Sequence, residues 1–154
     1  MRDTRILIRD AFSQVPQPVG SRAIAPHVCD ECDKIEADLS QYTWETLPPH
    51  IIDSHADSLP LLSPAALQHY LPAWLIRALD DPSGDVIDFT IYQLTPSKKN
   101  IQSLDGYFEE WVLLLSDKQK QAISAFFNDV EEYQLWEGIE GELIRAKDLW
   151  SAEA

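Results

Sequence analysis

His27, Cys29 and Cys32 stand within six residues, in Pro26-His27-Val28-Cys29-Asp30-Glu31-Cys32-Asp33, and the two cysteines are the only ones in the chain. Thiolates and imidazoles are the ligands that a structural zinc ion takes, four of them in a tetrahedron. A CxxC turn aims two sulfurs at one point, and His27 reaches the same point if its loop curls. The fourth ligand must come from elsewhere in the chain. His55 is the candidate, because the helical spacing that puts Ile52 and Leu59 on its face turns it inward; His50 and Asp53 share a more polar face. The candidate metal set is therefore His27, Cys29, Cys32 and His55, and the implied cofactor is zinc. Plain packing accounts for the same residues. Cysteine packs as a small hydrophobe, His55 can be a core histidine with a hydrogen-bond partner, and a lone CxxC lacks the second pair that usually completes a zinc knuckle.

Redox chemistry is the third use of a CxxC. It needs the thiolate, which a nearby cation or a helix N-terminus favours. Here Asp30, Glu31 and Asp33 surround the thiols, and their negative field opposes a thiolate while favouring a bound cation. A helix is expected to begin only at about Asp33, and no strand precedes the cluster.

Other chemistry is absent from the sequence. It contains no GxGxxG, P-loop, HExxH or GxSxG, the patterns that announce dinucleotides, phosphates, metalloproteases and hydrolases. Asp53, Ser54, His55 and Asp57 resemble triad ingredients, but adjacent residues on a helix do not face one another. With 26 Asp and Glu, no single carboxylate pair stands out for acid–base work. No catalytic residue is assigned, and the reading leans away from an enzyme. Between Asp129 and Glu142 six carboxylates (Asp129, Glu131, Glu132, Glu137, Glu140, Glu142) occur without one Lys or Arg, around Trp136. That arrangement suits either an aromatic anchor for a basic partner or a solvated helix face with Trp136 in the core.

The elements that must position these residues read as helices. The first starts after Asp3 or Thr4 and runs to about Val15 on the spacing of Ile8, Ala11, Phe12 and Val15. A second is expected from about Asp33 to Tyr42, and Pro48-Pro49 opens a third. Ser63-Pro64 starts the clearest amphipathic pattern, through Leu67, Tyr70, Leu71, Trp74, Leu75, Ala78 and Leu79, with a kink or break expected near residues 68–71 from Pro72. Ile87, Phe89 and Ile91 alternate like a strand, whereas Ile87, Ile91 and Leu94 suit a helix. A strand there would lack a partner, so a helix is expected, with a short strand near 86–94 as the alternative. Asp105 is read as the cap of a short helix through Leu115, and Ser116 to Gln119 as a capping box that opens a helix with Ile123, Phe126, Phe127, Val130 and Tyr133 inward. Gly138 and Gly141 interrupt the pattern before Ile139, Leu143, Ala146 and Trp150 resume it. The expected fold class is mainly α: a compact single-domain bundle of about seven short helices over residues 1–154, with 131–154 as a C-terminal helical extension.

At 154 residues with 45% hydrophobic content, the chain is long enough for one buried core. No run of about 18 apolar residues exists to span a membrane. The first ten residues mix charges among apolar side chains, which a signal peptide does not. A cytoplasmic protein is expected, with its cysteines reduced or metal-bound. The net charge of −14 argues against nucleic acid, whose recognition rests on clustered Lys and Arg, and permits a surface that attracts a basic protein.

His27-x-Cys29-x-Glu31-Cys32-Asp33, then Trp44, then Asp57-Ser58-Leu59-Pro60-Leu61-Leu62-Ser63-Pro64-Ala65-Ala66, then Tyr70-Leu71-Pro72-Ala73-Trp74-Leu75 resembles an uncharacterised family of small bacterial proteins, domain of unknown function 6714. The resemblance spans roughly Ile6 to Val130 and implies a bacterial cytosolic protein; it brings no reaction, substrate or catalytic residue. Members with the His and the Glu-Cys-Asp triplet but without the first cysteine do not fit an obligatory four-ligand zinc site. The sequence thus points to a small, acidic, non-enzymatic interaction module, of inhibitor or immunity type, facing a basic protein partner. The rival reading is a zinc protein, structural or catalytic, built on the His-x-Cys-x2-Cys cluster.

Overall fold

In the computed structural model, residues 3–95, 107–133 and 140–153 are described. Among them are eight α-helices, a single 3-10 turn at Leu59–Leu61 and no strand. The helices are α1 (Thr4–Phe12), α2 (Asp30–Leu39), α3 (Pro49–Ser54), α4 (Pro64–Asp80), α5 (Asp85–Leu94), α6 (Tyr107–Leu114), α7 (Asp117–Val130) and α8 (Glu140–Glu153). The mainly helical class is as the sequence predicts. Segment 86–94 is helical: Thr90 sends its hydroxyl back to Val86 O at 2.7 Å, and Val86, Ile87, Thr90, Ile91 and Leu94 are buried at a helical period.

Local signals set most of the helix starts. Asp3 caps α1 by accepting from the Arg5 amide at 2.8 Å, Ser63 caps α4 by accepting from Ala66 N at 3.1 Å, and the Ser116–Gln119 capping box forms in both directions at 3.2 and 2.9 Å. Three expectations shift. α1 ends at Phe12, short of Val15, which packs against the core from the following turn. α2 begins three residues before the expected Asp33, because Cys29 caps it. α4 is not broken at Pro72 but runs through it. The proline costs a helix interior about 3 kcal/mol, yet Tyr70, Leu71, Trp74 and Leu75 around it are all at 0% exposure. Burial contributes about 1.5–3 kcal/mol for each large side chain, so packing outweighs the missing bond. The predicted cap Asp105 lies outside the described residues.

One contiguous apolar cluster draws on all eight helices. α4 is its axis, packing against α1, α3, α5, α6 and α7, while α8 lies against α7 and α5. The segment expected as an extension enters the same cluster: Trp150 is fully buried and its indole N–H donates to Leu94 O at 2.8 Å.

Two polar side chains of α4 tie the loops to this axis. Trp44 N donates to His69 Nε2 at 3.2 Å, so the ring proton sits on Nδ1 and donates to Val15 O at 3.1 Å. The Tyr70 hydroxyl lies 2.9 Å from both Leu39 O and Tyr42 O and accepts from Gln17 Nε2 at 3.1 Å. Burial holds the His69 pKa below its usual value, against the hydrogen bond to Val15 and the charge of Glu45. Below about pH 6.5 the unfolded chain therefore takes up a proton that the folded one resists. Stability is fully present above that pH and falls as the pH drops through it, by up to about 1.4 kcal/mol per pH unit from this residue. Urea unfolding between about pH 7.5 and pH 5.5 should show that loss, and His69→Gln should flatten it; an equal slope in the variant would contradict a neutral buried imidazole.

Candidate functional site

Cys29 is the N-cap of α2 and Cys32 its third residue. An N-cap side chain naturally lies over the amide of the third helical residue, and Cys32 N indeed donates to Cys29 Sγ at 3.1 Å. Because that third residue is itself a cysteine, the two sulfurs meet without bending the helix. They form a disulfide, with a Cα–Cα distance of 5.1 Å. The sequence predicts these cysteines reduced or metal-bound, whereas here the two sulfurs are bonded to each other. The CxxC also occupies a helix N-terminus, which favours a thiolate and opposes the field of the neighbouring carboxylates. Asp30, Glu31 and Asp33 fill the first turn of α2, where carboxylates are favoured by the helix dipole. The signal read as a hostile field was equally the mark of a helix start.

The two sulfurs differ in access: Cys29 is exposed, whereas Cys32 is at 0% and part of the core. The loop that leads to them is fastened from below. Glu36 Oε1 accepts from Ile24 N at 3.1 Å and Ala25 N at 2.9 Å. Ser63 Oγ donates to Ala23 O, and Ser63 N to Ile24 O, both at 2.8 Å. Arg22 bridges the two arms, donating from Nη1 to His27 O at 3.0 Å and to Asp33 Oδ1 at 3.1 Å. It does so with a backbone φ of 57°, a left-handed conformation uncommon outside glycine. Arg22 and Glu36 position the loop, and sequence reasoning passed over both. Glu36 carries no local signal, since its partners lie 11 and 12 residues away.

Of the four candidate ligands, the structure brings Cys29 and Cys32 together. His27 is exposed on the loop. His55 is buried at 3% and its Nε2 lies 2.7 Å from Asp38 Oδ2. Asp38 stands six residues past Cys32, about 9 Å along the helix axis, so His55 is held away from the sulfurs. Among the described residues no three His, Cys, Asp or Glu side chains gather to hold a metal ion. Of the weaker candidates, His50 is exposed and Asp53 is clasped by Arg77 at 2.9 and 2.8 Å. The Arg77 hydrogen bond lowers the Asp53 pKa against the opposing effect of burial. In the acidic run, Glu131 pairs with Lys147, while Trp136 and Glu137 lie outside the described residues.

The disulfide closes a loop of sequence separation 3, for which chain entropy allows about 2 kcal/mol of stabilisation at most. The double substitution Cys29→Ser/Cys32→Ala keeps a good N-cap and a small buried side chain. It should lower the unfolding free energy by no more than about 2 kcal/mol, measured by denaturant titration; a much larger loss would make the bond a structural staple.

The profile of one family, described as a family of unknown function (DUF6714), matches residues 2–154, which takes in the C-terminal stretch beyond Val130 as well. No curated protein matches the chain. No solved structure matches it either.

Proposed function

The chain belongs to the DUF6714 family, to which no activity is attached, and we propose that it is a non-enzymatic interaction module of inhibitor or immunity type, covering a basic surface on a cytoplasmic protein partner. The observation that carries this reading is the way its charges are spent. Arg5 is committed to Asp80, Arg22 to Asp33, Arg77 to Asp53 and Lys147 to Glu131. Asp30, Glu31, Asp57, Glu109, Glu110 and Glu132 stand at the exposed surface, within a chain of net charge −14. Exposed ion pairs contribute little to stability, and an excess of one sign opposes compaction. Beyond the dipole contribution of Asp30 and Glu31 at the start of α2, the fold therefore gains little from this excess, whereas a basic partner would. Beside Asp30 and Glu31, Val28 is 82% exposed, an apolar contact rimmed by carboxylates.

The test is capture of partners at low salt with the native chain and with Asp30→Lys/Glu31→Lys. A basic protein should be retained, released at about 1 M salt, where the Debye length is about 3 Å, and weakened about tenfold or more by the charge reversal. Binding indifferent to both salt and reversal would sink the reading.

One observation favours a second reading: the sulfurs of Cys29 and Cys32 converge at a loop that also carries His27. The reduced pair with His27 would supply three zinc ligands, and His55 a fourth only by leaving Asp38. Elemental analysis of reduced protein should then find one equivalent of zinc that disappears in Cys29→Ser/Cys32→Ala. Reduced protein without metal, or zinc retained by the variant, removes that reading.

A further inference from the structure

We propose that the Cys29–Cys32 disulfide is an exchangeable redox site, attacked at Cys29 Sγ by thiols carried on cationic molecules. The bond has little structural work to do. It spans a separation of 3 residues, where cross-linking restrains the unfolded chain least. The turn it closes is already held by Asp33 N donating to Cys29 O at 2.9 Å and by the Glu36 and Ser63 contacts that anchor the loop. Its two ends are unequal. Cys29 is exposed and Cys32 is sealed in the core, so an incoming thiolate reaches Cys29 rather than Cys32. The freed Cys29 thiolate sits at the N-terminus of a ten-residue helix with the Cys32 amide 3.1 Å away, a setting that favours thiolates in CxxC motifs and works against the field of Asp30 and Glu31.

The exchange balances as follows. A thiolate of a dithiol donor attacks Cys29 Sγ and forms a mixed disulfide; the bond to Cys32 breaks, and the Cys32 sulfur leaves with the electron pair and takes a proton from water. The donor's second thiolate then attacks its own sulfur in the mixed disulfide and releases Cys29 as a thiolate. The pair gains two electrons and one proton, a second proton being taken up only where the Cys29 thiolate is itself protonated, and the donor leaves as a disulfide. Reversal, with a disulfide as oxidant, closes the bond again.

Charge selects the donor. Asp30 and Glu31 are exposed next to Cys29, while Asp33 is engaged by Arg22. An anionic thiol is repelled from this approach and a cationic one is drawn in. That preference rests on the acidic-module reading; the exchange itself does not.

The experiment uses the full native chain. Dithiothreitol without denaturant should reduce the pair, read by alkylation and mass, with the helical circular dichroism retained, and cystamine should re-form the bond. Reduction only after unfolding, or a reduced pair that does not close again, overturns the proposal. In Cys32→Ala, the lone Cys29 should form a mixed disulfide with cystamine, whereas Cys32 in Cys29→Ser should not; reaction at Cys32 alone overturns the assignment of the attacked sulfur. Cysteamine should reduce the native bond about tenfold faster than 3-mercaptopropionate at low ionic strength, with rates normalised to thiolate concentration and to a neutral reference disulfide. The two should converge at about 1 M salt. Equal rates at low salt would remove the charge selection, and the acidic-module reading at this face with it, while leaving the exchange standing.

Discussion

Burial of α4 is the constraint on which the rest of the molecule depends. Eleven of its 17 residues are buried, more than the single apolar stripe of a surface helix, so other elements must enclose it. α1, α3, α5, α6 and α7 do so. The enclosure explains how a proline is carried inside the helix and why two polar residues, His69 and Tyr70, can be buried there. Each reaches loop carbonyls or amides that water can no longer satisfy, from Val15 and Trp44 to Leu39 and Tyr42. Buried polar groups of this kind stabilise only when fully partnered, and these are.

The same enclosure reaches the cysteine loop. Ser63, the cap of α4, holds Ala23 and Ile24, and Glu36 of α2 holds Ile24 and Ala25. Cys29 is thus presented from a fastened loop onto the first turn of a helix. A reactive group gains from such a frame because little conformational freedom remains to be lost on contact with a partner. The acidic first turn complements the helix dipole, and in the proposed exchange it is what favours a cationic donor.

Legibility in the sequence followed the range of the interactions. The capping box at Ser116, the Ser63-Pro64 start and the apolar faces of α4 and α7 were readable, because each is decided within about two helical turns. α2 starts three residues before the spacing predicts, since cysteine is an unusual N-cap and acidic residues beside it serve both as thiol neighbours and as a helix start. Segment 86–94 was ambiguous because its apolar spacing satisfies two periods, and burial against α4 decided it. At the site, Cys29 and Cys32 were evident from type and spacing. Arg22 and Glu36 were not, because their roles depend on contacts between loop and helix that no periodicity encodes.

By itself the sequence determined the helical class, the helix-start residues, the inward faces and the acidic excess, all of them properties of composition and of spacing within a turn or two. Only the tertiary structure decided that α4 passes unbroken through Pro72, that His55 is spent on Asp38, and that of two chemically identical cysteines one faces solvent and the other the core. The physical reason is common to all three. Each outcome is set by what packs against a residue from elsewhere in the chain, and burial energies of several side chains together exceed the local preference of any one.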